Sequence, residues 1–423
     1  MDDRIRARYW IETAFPLAEA AEIMAGEQST GTFLHVPGET EELREAHAAR
    51  VESLAELDAA SQPSLPGAGL PKRLDGSPVW KRAEVTLSWP LSNMGASLPN
   101  LVATVAGNLF ELKPFSGLKL LDIALPTAFR DRYEGPQFGV EGTRKLAGVY
   151  GRPLIGTIIK PSVGLSPEAT AEIVDKLAEG GIDFVKDDEL QADGPHCPFE
   201  QRLSAVMKVI NRHADRSGKK VMYAFNITGE IDEMPRRHDA VAAAGGTCVM
   251  VSLNSIGLPG LVALRRKCSL AIHGHRNGWG MYSRSPAIGM SYIAYQKFWR
   301  LAGADHLHVN GLRNKFCEED ASVIASAREC LTPMFTGAGR GCEVMPVFSS
   351  GQTALQTADT YRALGTTDLI HACGGGIMAH PSGVRAGVRS LRQAWEAAVK
   401  GVPIAEYARE HAELREAMER FAA

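Results

Sequence analysis

The sequence predicts an α/β protein: a C-terminal (β/α)8 TIM barrel preceded by a smaller α+β domain. Three observations predict it. From Leu154 onward, eight short apolar runs alternate with helical stretches. Polar, chemistry-bearing residues stand at the C-terminal end of nearly every run, where such barrels keep their active sites. Before Leu154, strands and helices come in mixed order, as in a small open-faced, ferredoxin-like sandwich. A chain of 423 residues is long enough for two domains, and the expected division is 1–140 and 141–423.

In the first part, Arg6–Thr13 reads as a strand and Pro16–Glu27 as a helix with apolar Leu17, Ala20, Ala21, Ile23 and Met24. A short strand near Thr32–Val36 and a charged helix over Glu41–Leu57, capped by Thr40, should follow. The stretch Ser61–Gly76, rich in proline and glycine, reads as a loop. Val85–Trp89 and Gly117–Leu125 read as strands on either side of a helix over Leu98–Phe110.

The barrel strands are expected at Leu154–Ile159, Ile182–Lys186, Lys220–Asn226, Thr247–Asn254, Ser269–His275, His306–Asn310, Val344–Ser349 and Asp368–Cys373. Helices are expected over Pro167–Glu179, Glu200–His213, Pro235–Ala244, Tyr292–Ala302, Glu318–Cys330, Thr353–Leu364 and Gly383–Val399. The first of these is well signed: Ser166 can cap it, Pro167 suits its first turn and Glu168 complements its dipole. A last helix, Ile404–Phe421, should pack outside. The competing architecture, a doubly wound sheet, usually has fewer strands and a glycine fingerprint after the first.

Composition narrows the function classes. There are 46 basic against 49 acidic residues, a net charge of −3, which argues against a nucleic-acid partner. With 22% charged and 45% apolar residues the chain is a folded soluble protein and not a disordered one. The seven cysteines fall between Cys197 and Cys373 without a C-x-x-C pair, so they read as free buried thiols of a reducing cytoplasm. The start, MDDRIRARYW, has no apolar core for a signal peptide. No run approaches the ~18 apolar residues of a membrane span. A cytoplasmic protein without membrane contact is expected.

The strand ends carry the chemistry. Lys160 follows strand one, Lys186-Asp187-Asp188-Glu189 strand two, and Asn226 strand three. His273-Gly274-His275-Arg276 ends strand five, His306-Leu307-His308 strand six, Ser349-Ser350-Gly351 strand seven and Gly374–Gly376 strand eight. Alternation sends Lys186 and Asp188 to one side, with Glu189 at the turn. Adjacent carboxylates repel, and a hard cation such as Mg2+ relieves the repulsion. An ammonium among them would compete with the ion, whereas a lysine carbamylated by CO2 offers an anionic oxygen. The same residues also read as a salt-bridged surface turn. Gly351 and Gly374–Gly376 let backbone N–H groups approach a phosphate, or simply make tight turns. Arg276 and His308 could form a second anion subsite. One of His306 and His308, which share a face, could equally be a packed core histidine.

The segments EQSTGTF (Glu27–Phe33), GNLFELK (Gly107–Lys113), GTIIKPSVGLS (Gly156–Ser166), GGIDFVKDDE (Gly180–Glu189), HGHR (His273–Arg276), GADHLH (Gly303–His308) and ACGGG (Ala372–Gly376) carry a resemblance. In order and spacing they resemble the large-subunit superfamily of ribulose-1,5-bisphosphate carboxylase/oxygenase (RuBisCO), most of all its RuBisCO-like branch. The resemblance implies a carbamylated Lys186 that holds Mg2+ with Asp188 and Glu189, and a Lys160 that assists proton transfer. It implies a His275 near the reacting carbons, with Arg276 and His308 as phosphate ligands on one side. Ser349, Gly351, Gly374 and Gly375 would be ligands on the other. It also implies a head-to-tail homodimer, or a multiple of it, in which Glu27, Thr32 and Asn108 complete the neighbouring subunit's site.

Three departures speak against carboxylation of ribulose bisphosphate. Ser162 stands for the family's second K-P-K lysine, Trp279 for a histidine beyond the HR pair, and Phe33 for a tryptophan. Lys315 falls where the carboxylase carries its mobile-loop lysine, which favours a carboxylate-bearing substrate; it also reads as a solvated loop lysine. The resemblance therefore favours a Mg2+-dependent enzyme acting through an enediolate on a phosphorylated sugar or sugar acid. The favoured reaction is decarboxylation of a 3-oxo sugar-acid phosphate such as 3-oxo-isoapionate 4-phosphate. The alternatives are isomerisation of a methylthio-sugar phosphate in methionine salvage, a metal-free Schiff-base lyase using Lys160 or Lys186, and a non-catalytic homologue.

Overall fold

The structure is a computed structural model that describes residues 3–31, 36–73 and 76–422. Thr32 and Phe33, with most of the strand expected near Thr32–Val36, lie outside the described residues. The chain divides into two compact units. One comprises Met1–Tyr133, Gly278–Leu301 and Met334–Gly341, and the other Glu134–Asn277, Ala302–Pro333 and Cys342–Ala423.

The first unit is built on strands β1 (Arg4–Thr13), β2 (Arg50–Ala60), β3 (Trp80–Pro90) and β4 (Phe115–Ala124). In β1, Ile5, Ala7, Tyr9 and Ile11 alternate into the core, where they meet Ala83, Val85, Leu87 and Trp89 of β3. Helices Leu17–Glu27 and Leu98–Val105 contribute Ala20, Ala21, Met24, Leu98 and Leu101 to the same unit's core. The charged helix expected over Glu41–Leu57 is corrected. Only Glu41–His47 is helical, with Thr40 capping it through Leu43 N–H; from Arg50 the chain turns into β2 and pairs antiparallel with β3. Pairing with β3 supplies backbone hydrogen bonds that override the helix propensity of this Glu-, Ala- and Leu-rich run.

The second unit is a closed barrel of parallel strands. In chain order they are β5 (Leu154–Ile158), β6 (Phe184–Lys186), β7 (Met222–Asn226), β8 (Cys248–Ser252) and β9 (Ala271–His275). After β10 (Ile288–Met290), which pairs with β4 in the first unit, come β11 (His306–Asn310), β12 (Met345–Phe348) and β13 (Ile370–Ala372). All eight expected barrel strands are present. Leu154, Phe184, Met222, Cys248, Met250, Met345, Val347 and Ile370 belong to one buried cluster with Ala147 and Val149. Gly156 is required there: a Cβ would stand 3.0 Å from the Phe184 ring and 3.1 Å from Ile370.

Two more expectations are corrected. The strand expected over Thr247–Asn254 ends at Ser252, and Leu253–Arg265 is helical with a kink at Gly257. The terminal helix is broken into Ile404–Tyr407 and Ala412–Phe421, with the His411 ring stacked on Tyr407 between them. Six cysteines are buried, but Cys317 is exposed. Among the described residues no helix is long and apolar enough to cross a membrane.

Candidate active site

The turn after β6 brings the sharpest sequence cluster together. Lys186 is 1% exposed; its Nζ donates to the Asp187 carbonyl (2.8 Å) and lies 3.3 Å from Glu189 Oε2. Burial lowers the Lys186 pKa, while Glu189 and Asp188 work against that shift. Asp187 points away, as strand alternation requires. It accepts from Arg202 Nε (3.2 Å), Tyr223 Oη (2.5 Å) and the Asn226 N–H (2.9 Å). The Asn226 side chain donates in turn to the carbonyls of Asp188 (3.2 Å) and Glu189 (3.3 Å). These bonds hold the turn from behind and aim Lys186, Asp188 and Glu189 forward.

Lys160, just past β5, joins them. Its Nζ donates to Asp188 Oδ2 (2.6 Å) and Ser162 Oγ (2.8 Å). His275, at the end of β9, has Nε2 3.4 Å from Glu189 Oε2. Burial, with Lys186, takes the His275 pKa down to about 4, so its ring is neutral at pH 7. Burial works against the Glu189 carboxylate, but His275 and Lys186 outweigh it and bring its pKa to about 2. Lys160, Lys186, Asp188, Glu189 and His275 thus form one connected set.

A second set lies at the ends of β9, β11 and β12. His273 and His308 are hydrogen-bonded at 2.8 Å between their Nε2 atoms, and His308 Nδ1 is 2.9 Å from Ser349 Oγ. Ser349 therefore stands with His308 as much as with Gly351. Arg276 Nη2 donates to Glu318 Oε2 at 3.0 Å. Asn310 and Ser350 have positive φ of 65° and 71°, beside Gly351 at 83°. Non-glycine residues held in this region store strain of order 1–3 kcal/mol each, which clusters at functional sites. A Cβ on Gly375 would meet nothing within 4 Å, so its backbone faces open space. The Lys315 N–H donates to the Ser350 carbonyl (3.2 Å), whereas its exposed ammonium lies 5.2 Å from the Phe316 ring centroid. In the first unit, Glu27 is half-buried and Asn108 exposed. Sequence reading missed Arg202, Tyr223, Asn310 and Glu318, whose roles come from tertiary contacts with no local signature.

The histidines inside the barrel carry a pH prediction. Burial lowers the pKa of His306 to about 4 and of His371 to about 3, against about 6.5 in an unfolded chain. Between these values the unfolded chain binds more protons, so stability present above pH 6.5 is lost as the pH falls toward 4. Urea unfolding from pH 7 to 4 is expected to show a loss of about 1 kcal/mol per pH unit per histidine. An unfolding free energy flat across that window would contradict it.

The donor set fits Mg2+ held through a carbamate. Among the described residues no three His, Cys, Asp or Glu side chains are grouped to hold a metal. Asp188 and Glu189 offer two carboxylates, and a carbamate on Lys186 would add a third anionic oxygen. Burial of Lys186 favours the neutral amine that reacts with CO2.

A closed (β/α)8 barrel with lysines and carboxylates converging at its strand ends, together with a separate α+β unit, defines an enzyme class of the RuBisCO architecture. The chain belongs to the ribulose bisphosphate carboxylase large-chain family: residues 139–421 match its catalytic domain and residues 2–129 its N-terminal domain. A 3-oxo-isoapionate-4-phosphate transcarboxylase/hydrolase of Xanthobacter autotrophicus is 57% identical over 99% of both chains. A 3-oxo-isoapionate-4-phosphate decarboxylase of Rhizobium rhizogenes is 45% identical over 99% of this chain and 98% of that one. The crystal structure of a RuBisCO-like protein from Burkholderia fungorum, 48% identical, superposes with a TM-score of 0.91 over 99% of each chain.

Proposed function

We propose that this protein is a cytoplasmic, Mg2+-dependent decarboxylase of a 3-oxo sugar-acid phosphate of the 3-oxo-isoapionate 4-phosphate kind. The observation that carries the reading is the convergence of buried Lys186 with Asp188, Glu189, Lys160 and His275. The names of the relatives at 57% and 45% identity support the substrate.

In a 3-oxo acid the bond between the carboxylate and its neighbouring carbon breaks, and the electron pair passes toward the ketone oxygen. CO2 leaves, and a proton then adds at the carbon that lost it. When bound by the Lys186 carbamate, Asp188 and Glu189, Mg2+ would supply Lewis-acid stabilisation of the oxygen that gains charge. Lys160, held by Asp188 and Ser162 with its side chain 42% exposed, is placed to deliver the proton. His275 beside Glu189 can orient the substrate. The backbone around Gly351, Gly374 and Gly375 would receive the phosphate.

The methylthio-sugar alternative needed an apolar pocket from Phe33 or Trp279. Trp279 is 8% exposed and packed against Tyr282, Tyr292 and Tyr295, which leaves little ring for a thioether. The transcarboxylase/hydrolase relative favours one second reading, in which the carboxyl group is moved within the substrate and water then cleaves the skeleton. Substrate labelled with 13C in the carboxylate separates them. Decarboxylation releases the label as CO2 in EDTA-sensitive turnover, while the second reading retains it in an acid product.

The active unit we propose is a homodimer in which Glu27, Thr32 and Asn108 of one subunit serve the other's barrel. Mixing inactive Lys186→Ala and Asn108→Ala proteins after subunit exchange is then expected to restore up to about a quarter of wild-type activity. No recovery from fully exchanged subunits would exclude shared sites.

A further inference from the structure

The Arg276 end of the site is already neutralised. Arg276 and Glu318 form an ion pair at 3.0 Å with side chains only 7% and 14% exposed. Glu318 is anchored from several directions. Its Oε2 also accepts from Asn310 Nδ2 (2.5 Å), its Oε1 from Ser322 Oγ (2.9 Å), and its carbonyl from Asn314 Nδ2 (3.0 Å). The strained backbone of Asn310 is part of this anchorage. Both nitrogens of His308, the other expected anion ligand here, already face His273 Nε2 and Ser349 Oγ. Burial, with His275 and His273 beside it, lowers the His308 pKa. One buried cation against one half-buried carboxylate leaves the Arg276–Glu318 pair without net charge. A phosphate dianion entering this subsite would share Arg276 with Glu318 and meet like-charge repulsion in a poorly solvated place. At the other end a Cβ on Gly375 would meet nothing within 4 Å, and the nearest atoms to one on Gly351 belong to Lys315, a cation and not a carboxylate.

We propose that Glu318 is a specificity-determining residue that restricts the enzyme to substrates with a single phosphate. That phosphate sits at the Gly351, Gly374 and Gly375 end, and an uncharged hydroxylated end lies against Arg276 and Glu318. The inference rests on the proposed phosphate-bearing substrate and adds which end carries the charge and which residue refuses a second one.

The test compares two probes that differ by one phosphate, 2-carboxyarabinitol 1-phosphate and 2-carboxyarabinitol 1,5-bisphosphate, by calorimetry with Mg2+ and bicarbonate. Wild type is expected to bind the monophosphate about tenfold or more tighter than the bisphosphate. Glu318→Gln keeps the shape and the hydrogen bonds but removes the charge, and should shift the ratio of the two Kd values toward the bisphosphate by about tenfold or more. Wild type that binds the bisphosphate as tightly as the monophosphate overturns the inference, whether or not the variant folds. So does a folded Glu318→Gln protein with an unchanged ratio. CO2 release from the 3-oxo sugar-acid phosphate is read separately. Turnover without discrimination sinks this inference alone, and discrimination without turnover sinks the decarboxylase reading alone.

Discussion

Lys186→Ala is expected to lower CO2 release by at least about 1,000-fold, roughly 4 kcal/mol of transition-state stabilisation. The reason lies in the donor count. Asp188 and Glu189 are the two carboxylates aimed at the site, and Asp187 is turned away onto Arg202 and Tyr223. Without Lys186 no third anionic oxygen can form. The variant should therefore also lose saturable Mg2+ binding in calorimetry, and bicarbonate preincubation should activate wild type but not the variant. Lys186 is fully buried, so truncation also leaves a cavity. Lys186→Met keeps the volume and serves as the control. A fully active, bicarbonate-insensitive Lys186→Met enzyme would falsify the carbamate assignment.

The legibility of this site follows from where each residue sits. Lys186, Asp188 and Glu189 could be read because a barrel strand is a short apolar run with an abrupt polar end, and polarity at that end has few structural uses. The eight barrel strands were visible for the same reason. β2 was not, because its burial alternation is absent: every residue from Arg50 to Ala60 is exposed or half-exposed. A strand without a buried face gives no period-two signal, and its Glu, Leu and Ala content then reads as helix. The buried partners of the site were hidden in another way. Arg202 lies on a helix, Tyr223 within a strand and Glu318 on a loop. Each acquires meaning only when the barrel brings it to Asp187 or Arg276. The strand ends name the reacting groups, while the groups that orient or neutralise them are set by tertiary packing.

Lys160→Met is the second large effect, and it separates proton transfer from metal binding. Lys160 donates to Asp188 and Ser162 and is not itself a metal ligand in this scheme. Removing the ammonium should lower kcat by about 100- to 1,000-fold, within the range for a lost general acid, with KM changed only a few-fold. Mg2+ binding and bicarbonate dependence should persist, unlike in the Lys186 variants. The isotope readout is sharper still. In D2O, wild type is expected to place deuterium with one stereochemistry at the carbon that lost CO2, because a positioned side chain delivers it. In Lys160→Met the residual product should carry deuterium on both faces, delivered by solvent. A Lys160→Met enzyme that keeps single-face protonation would move the proton donor elsewhere, and neutral His275 beside Glu189 is then the group to substitute next.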